Sequence, residues 1–297
     1  MAALTFIFVT YNSEQIIDLA LSKIDQEKYK VIISDNGSTD NTIAIIKQKY
    51  PNITLIENKK NIGFARANNI AFKQVKTDLF ALINPDCFID NNSILELIKV
   101  INLDENIALA GARAYGAKLN NKYDIANVEA DLIAEKNYIG EEKLYFVAKF
   151  ISGCFMLGKT NIFREIGLFD DGFFLYCEDN ELCKRMNKEN YKIIVVKNSK
   201  QIHLSGNSTK EIDSSMNKAI NWHRFGYSKC YYSECVHNKF IAKFNAAKNI
   251  IRIMIIFIVK LFNFRKLTNK EKAVISGSFA YLMGKSAFDN NGNGRKF

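Results

Sequence analysis

Short apolar runs alternate with helix-length amphipathic segments through the first hundred residues, and this alternation constrains the fold more than any other feature. Leu4–Val9, Val31–Ser34, Ile53–Ile56 and Leu79–Ile83 are rich in β-branched and aromatic residues and read as strands. Helical patterns follow each of them: from Ser13 to about Lys23, over Thr42–Lys49, over Ala65–Val75 and over Ser93–Ile101. Ser13 is expected to cap the first helix and Ser38 or Thr39 the second. Strands separated by helices of this length imply βαβ units and a mainly parallel sheet. In such sheets ligands bind beyond the carboxyl ends of the strands. Three polar clusters sit at those ends: Thr10-Tyr11-Asn12-Ser13, Asp35 to Asp40, and Asn84-Pro85-Asp86. They are expected to line one crevice.

Beyond this core the pattern is looser. Residues 112–148 are charged and weakly periodic and read as a variable insertion. Phe150–Gly158 and Tyr191–Val196 read as strands and Glu178–Lys188 as a helix. From about residue 225 the chain becomes helical, basic and aromatic, and Asp289–Phe297 is expected to fray. The 297 residues carry a formal charge of +10, and residues 201–297 hold 16 Lys and Arg against 5 Asp and Glu. The surplus therefore belongs to the last third, which suits an anionic lipid, a nucleic acid or an acidic substrate.

At 48% apolar and 24% charged residues, the composition excludes a disordered or fibrous chain. The six cysteines form no CxxC pair and there are three histidines, so no zinc site is expected. No basic segment precedes Leu4–Val9, and a reducing cytoplasm is the expected compartment. The most apolar stretch, Ile250–Phe264, is interrupted by Arg252 and Lys260, short of the ~20 apolar residues of a spanning helix.

Each motif admits a chemical and a plain structural account. Gly37 permits a tight turn, and Asp35 at a strand end can accept hydrogen bonds from a nucleobase or ribose; a turn with a helix cap is the plain account. Asp86 is placed to hold a divalent cation whose shell a diphosphate completes, or it belongs to an Asx-Pro turn. In Asn61 to Asn69, Gly63 and Arg66 stand at a helix start, where they can meet a nucleotide's phosphates or only solvent. Glu178 and Asp179 open a helix after an aromatic run. One can orient a substrate while the other acts as general base, or both can simply complement the helix dipole. His203 can reach a metal or a diphosphate, or be structural.

Taken together and in order, these strings resemble inverting glycosyltransferases of family 2, which have the GT-A fold. The strings that carry the resemblance are Thr10 to Ser13, Asp35 to Asp40, Asn61 to Asn68, Asn84 to Asp86, Ser152-Gly153-Cys154-Phe155-Met156, and Phe173 to Asp179 with Arg185. The resemblance covers about residues 3–210 and is nearest the rhamnosyltransferase-like branch that builds bacterial surface polysaccharides such as lipopolysaccharide. It implies a GT-A-type, Rossmann-like sheet flanked by helices in a catalytic domain of residues 1–225, followed by a basic helical region of residues 226–297. It also implies transfer of rhamnose or another hexose from a dTDP-, UDP- or GDP-linked donor to a hydroxyl of a saccharide acceptor.

The roles implied are these. Asp179 is the base and Asp86 the ligand of Mg²⁺ or Mn²⁺. Thr10, Tyr11, Asn12 and Asp35 hold the nucleoside, with Asn61, Gly63, Arg66 and Asn84 also on the donor. Gly153 and Glu178 meet sugar or acceptor, and Arg185 and His203 assist. The family's metal motif often has two aspartates around one residue. Here the first is Asn84, so ligation rests on Asp86. A lipid-linked acceptor would place the chain at the inner face of the cytoplasmic membrane, with residues 226–297 touching lipid or forming a homodimer contact; no nucleic acid is expected. A sugar nucleotidyltransferase would show a Gly-rich phosphate loop near the N-terminus, which Thr10 to Ser13 lacks. A non-catalytic module that binds anionic surfaces would leave Asp35, Asp86 and Asp179 unexplained.

Overall fold

The computed structural model describes residues 4–116, 131–133, 137–204 and 214–295. The chain divides into two compact units, one of residues 1–60, 67–168 and 182–210, the other of residues 61–66, 169–181 and 211–297.

The first unit is built on one sheet. The elements run β1 (Leu4–Thr10), α1 (Ile17–Ser22), β2 (Lys30–Asp35), α2 (Thr42–Lys49), β3 (Thr54–Glu57), α3 (Phe64–Phe72), β4 (Leu79–Ile83), β5 (Cys87–Ile89) and α4 (Asn91–Ile101). They continue β6 (Ile107–Gly116), β7 (Asp131–Ile133), β8 (Tyr138–Glu141), β9 (Tyr145–Ala148), β10 (Phe155–Lys159), α5 (Thr160–Ile166), α6 (Glu178–Lys188) and β11 (Lys192–His203). The strand order is β3-β2-β1-β4-β10-β6-β11-β9-β8, with β5 added to β11 and β7 to β6. The block β3-β2-β1-β4 is parallel, as the βαβ alternation requires. Beyond it, β10 runs antiparallel to both β4 and β6, so the sheet as a whole is mixed.

The strand runs read as continuously apolar because both faces are buried. Leu4, Phe6, Phe8, Leu79, Ala81 and Ile83 belong to one core, with α1 and α4. On β4 the alternate residue Phe80 points the other way, into a ring cluster with Phe72 and Phe163 at centroid distances of 4.8 and 4.5 Å. Gly158 faces that cluster, and a Cβ there would come within 2.7 Å of the Phe80 ring.

Several local expectations are revised. Ser13 caps nothing with its side chain: α1 starts later, and its N-cap Ile16 makes no side-chain bond. The start of α2 is organised by Asp40, whose Oδ1 accepts from the Thr42 amide at 3.0 Å. Ser38 and Thr39 serve the turn instead. The expected insertion falls partly on residues 117–130 and 134–136, outside the described residues; its described parts supply β7, β8 and β9. β11 runs seven residues past Val196, through a register shift between Val196 and Lys200, and its far end pairs with β5.

The second unit is helical in its C-terminal part: α7 (Ser214–Asn221), a π-helical turn (Trp222–Tyr227), α8 (Ser228–Val236), α9 (Lys239–Phe262) and α10 (Asn269–Leu282). Its core joins Trp222, Tyr227, Cys230, Ala242, Ala246, Ala280, Tyr281 and Phe288. Asp289–Arg295, expected to fray, is tied back by a Phe288–Gly294 bridge and by the Arg295 amide donating to Ala287 O at 2.8 Å.

Candidate functional site

The sheet topology gathers one set of polar residues at one edge. β1, β2, β4, β6 and β11 all point the same way, so Thr10, Asp35, Asn84 and His203 stand at or just past their carboxyl ends. Cys154, just before the antiparallel β10, falls at the same edge, with its carbonyl accepting from the Asn84 amide at 2.9 Å. The three clusters expected to share one crevice therefore do share one edge.

Asp35 is fully buried. Its Oδ1 accepts from Thr10 Oγ1 at 2.8 Å and from the Ser38 hydroxyl at 2.5 Å, and its Oδ2 from the Ser38 amide at 2.8 Å. Asn12, at φ 50, locks onto the same turn. Its amide donates to Ser38 Oγ at 2.8 Å, and its Oδ1 accepts from the Thr39 amide at 2.8 Å. Expected as a base or ribose ligand, Asp35 also shapes the loop at the ends of β1 and β2. Gly37, at φ +73, has Lys60 backbone 3.0 Å from where a Cβ would lie, so only glycine fits the turn. Tyr11 stands half-buried on this loop.

Asn84-Pro85-Asp86 is a turn closed by the Cys87 amide donating to Asn84 O at 3.0 Å, and the Leu204 amide donates to Asp86 O at 2.9 Å. Pairing of Cys87 with His203 across β5 and β11 brings the imidazole back over Asp86. His203 Nε2 lies 3.4 Å from Asp86 Oδ1, which is buried and makes no hydrogen bond among the described residues. Burial alone would draw the His203 pKa down, but Asp86 and Cys154 outweigh it and the net shift is upward from 6.5. A buried carboxylate oxygen with no hydrogen bond among the described residues, beside an imidazole, fits a divalent cation. Among the described residues no three His, Cys, Asp or Glu side chains converge on a common point. A cation here would draw its remaining ligands from phosphate oxygens and water, as Mg²⁺ commonly does.

Cys154 and Gln201 were not singled out in the sequence, although Cys154 lies inside a matched string. Gln201 Nε2 donates toward Cys154 Sγ at 3.7 Å, and Cys87 Sγ toward Gln201 Oε1 at 3.9 Å. The neighbouring Cys87 thiol, helped by the nearby His203, holds the Cys154 thiol below its usual range despite its burial. Gly153 occupies the preceding turn, closed by the Phe155 amide donating to Ser152 O at 3.3 Å. The rest of the His203 string, Ser205–Ser208, lies outside the described residues.

Arg185 has a structural task. Its Nη1 donates to Ile166 O and Gly167 O at 2.9 and 3.1 Å, and its Nη2 to Leu168 O at 2.6 Å. The guanidinium secures the turn after α5.

In the second unit, Glu178 and Asp179 open α6 after two residues in the left-handed region, Tyr176 at φ 69 and Cys177 at φ 72. Each such non-glycine residue costs on the order of 1 kcal/mol, and surrounding contacts must hold it. Ser228 Oγ donates to Leu175 O at 2.9 Å, and Tyr231 Oη to Asp170 Oδ1 at 3.0 Å. Phe174 stacks on His223 at 4.8 Å, and burial draws that imidazole down to about 4, so it acts as a neutral aromatic plate. Residues from α8 and the π-helical turn thus position the segment that presents the two acids.

Asn61, Gly63 and Arg66, expected on the donor, also hold this segment. Asn61 Oδ1 accepts from the Gly63 amide at 3.0 Å, and the Phe64 amide donates to Phe174 O at 2.8 Å. A Cβ on Gly63 would lie 2.5 Å from Phe174 O. Arg66 Nε donates to Asp171 O at 2.9 Å, and its guanidinium lies 3.5 Å from the Phe288 ring centroid.

Burial, reinforced by the neighbouring Asp179, pushes the Glu178 pKa well above 4.5, and its Oε2 is buried without a hydrogen bond among the described residues. Asp179 is half-buried, and its Oδ1 accepts from the Asn180 amide at 2.8 Å and from Asn180 Nδ2 at 3.1 Å. Two adjacent carboxyls in unlike environments are suited to different roles. The raised Glu178 pKa means that its favourable contribution is complete below 4.5 and is lost as pH rises through the folded value. Glu178→Gln, always neutral, is therefore expected to melt above wild type, by a margin that grows as pH rises above about 5 toward the folded value. A margin that stays level as pH rises above about 5 would show Glu178 ionised in the fold.

The comparisons agree with this geometry. Residues 5–167, over half of the chain, match the family described as glycosyl transferase family 2. Rhamnosyltransferase WbbL of Escherichia coli is 27% identical over 73% of this chain and 88% of its own length. The N-acetylglucosaminyl-diphospho-decaprenol L-rhamnosyltransferase of Mycobacterium tuberculosis is 23% identical over 64% of this chain and 71% of its own. Poly-beta-1,6-N-acetyl-D-glucosamine synthase of Staphylococcus aureus is 25% identical over 65% of this chain, which spans about half (48%) of that protein's length. The mannosyltransferase PcManGT of Pyrobaculum calidifontis, solved with GDP-Man and Mn²⁺, superposes with a TM-score of 0.57 at 16% identity, covering 95% of this chain and 88% of that one. That likeness extends the GT-A fold to this sheet. The chain belongs to glycosyl transferase family 2, and its relatives include rhamnosyltransferases.

Proposed function

We propose that the protein transfers a sugar, rhamnose or another hexose, from a nucleoside diphosphate donor to a hydroxyl of a saccharide acceptor, with inversion at the anomeric carbon. The observation that carries this reading is the buried Asp86 oxygen, 3.4 Å from His203 Nε2, at the strand edge that also holds the Thr10–Asp35 turn. The turn receives the nucleoside, with Tyr11 and Asn12 at its surface. Asp86, joined by His203, would hold Mg²⁺ or Mn²⁺, which supplies Lewis-acid stabilisation to the departing diphosphate. Asp179 takes the acceptor's hydroxyl proton as the new glycosidic bond forms, and protonated Glu178 donates a hydrogen bond that orients the acceptor. Gly153 lets the backbone approach the sugar.

The relatives' printed activities support a place in bacterial surface polysaccharide synthesis. The name of the mycobacterial relative, with its diphospho-decaprenol acceptor, supports a lipid-linked acceptor here too. That acceptor would bring the chain to the inner face of the cytoplasmic membrane.

Thermal unfolding with UDP, dTDP or GDP and Mn²⁺ tests the donor reading. At a hundred times its dissociation constant a ligand contributes ~2.7 kcal/mol, a rise in Tm on the order of 5 °C for a chain of this size. One nucleotide is expected to give that rise and EDTA to remove it. A response to none of the three would reject the donor reading.

A further inference from the structure

α9 carries a continuous apolar stripe that no described residue of its own unit covers. Phe240, Phe244, Ile251, Ile255, Ile258 and Phe262 recur at helical spacing along one side, and each is between 52% and 81% exposed. The opposite side bears buried Ala242, Ala246 and Ile253, and α9 packs on α8 and α10. The stripe extends over a helix about 36 Å long. Contiguous exposed apolar surface of this size marks an interaction site.

The charges beside it select the occupant. Lys243 flanks the stripe on one side, Lys248 and Arg252 on the other, and α9 contains no acidic residue. A second copy meeting this face by two-fold symmetry would set lysines and arginines against each other, with no carboxylate from α9 to pair them. An anionic lipid surface pairs them all. Lys260 does not join the flank, because it turns inward to Glu271 Oε2 at 2.6 Å, beside the N-cap of α10. Among the described residues no helix is long and apolar enough to cross a membrane. An amphipathic helix of this kind lies in the plane of the interface.

We propose that α9 docks flat on an anionic phospholipid bilayer, with the Phe240–Phe262 stripe in the headgroup–acyl boundary and Lys243, Lys248 and Arg252 on lipid phosphates. This deepens the membrane part of the reading above, and its test is independent of donor and acceptor. The experiment is co-flotation of the full chain with vesicles of equal parts phosphatidylglycerol and phosphatidylcholine, against vesicles of phosphatidylcholine alone. Wild type is expected to float with the anionic vesicles at low salt and much less with the neutral ones. Phe244→Asp, Ile251→Asp and Ile258→Asp together are expected to weaken binding at least about a hundredfold. Lys243→Glu, Lys248→Glu and Arg252→Glu together leave the stripe intact, guard against misfolding of the first variant, and are expected to weaken binding by roughly a hundredfold as well.

Three results would each overturn the proposal. Wild type fails to float with anionic vesicles; either triple variant floats as wild type does; or wild type is a dimer in solution that the aspartate variant dissociates, which would make the stripe a self-interface.

Discussion

Asp179→Asn is expected to lower the turnover rate by about a thousandfold, within the ~10²–10⁴-fold that general-base assistance provides, while donor affinity stays within about twofold of wild type. The amide preserves the shape of the side chain and can still accept from Asn180 through its oxygen. What it removes is the ability to take a proton from a hydroxyl. A sugar hydroxyl is a poor nucleophile until that proton leaves, so the loss should fall on the chemical step. Glu178→Gln is the internal control. Glu178 is already pushed toward its neutral form by burial and by Asp179, so an amide there changes the charge state little. Its activity loss should be far smaller, because glutamine still donates a hydrogen bond to the acceptor. Equal losses from the two variants would mean that the acids act as one unit. Near-normal turnover by Asp179→Asn would remove it from the base role. Single-turnover kinetics at saturating donor, with affinity measured separately, distinguishes these outcomes.

The backbone that presents this pair was not legible in the sequence. Left-handed residues are usually announced by glycine, as at Gly37 and Gly63, but here they are Tyr176 and Cys177. Distant contacts, Ser228 to Leu175 and Tyr231 to Asp170, impose that conformation, and nothing within Phe173–Asp179 encodes it. The helix start itself was legible, since α6 spans the residues expected from the pattern.

The parallel block was legible for a different reason. A strand buried on both faces is apolar at every position, and Leu4–Val9 and Leu79–Ile83 have that pattern in a length too short for helices. β11 was only partly legible. Its polar run Lys197-Asn198-Ser199-Lys200 reads as a loop, yet it sits at a register shift, and the strand resumes to deliver His203. The two arginines show a different limit. Arg66 and Arg185 are the right residue type for a diphosphate, and sequence supplies the type. Only coordinates reveal that their donors meet the carbonyls of Asp171 and of Ile166 to Leu168. Asp35 is an intermediate case. Its strand-end position was legible, whereas its burial under Thr10 and Ser38 was not.

Asp86→Ala is expected to abolish the cation-supported part of donor binding, so that EDTA no longer changes the affinity for nucleoside diphosphate. Removing groups that only orient metal ligands commonly costs ~10–100-fold in metal affinity, and removing the ligand itself should cost at least that much. The Asp86 oxygen is buried and makes no hydrogen bond among the described residues, so alanine leaves no comparable acceptor at that point. His203→Ala separates two explanations. If His203 and Asp86 share the cation, Mn²⁺ affinity measured with nucleotide present should fall in both variants. If the imidazole serves only to neutralise Asp86, its removal should raise that affinity, because the carboxylate then faces no competing charge. The pH dependence gives an independent sign. The His203 pKa is raised above 6.5, so a proton competes with the cation at and somewhat above that pH. Mn²⁺ affinity should therefore climb with pH until His203 is neutral, and His203→Gln should flatten the climb. A wild-type affinity that is level across this range, with Asp86→Ala still sensitive to EDTA, would place the cation elsewhere and leave Asp86 a structural member of the turn.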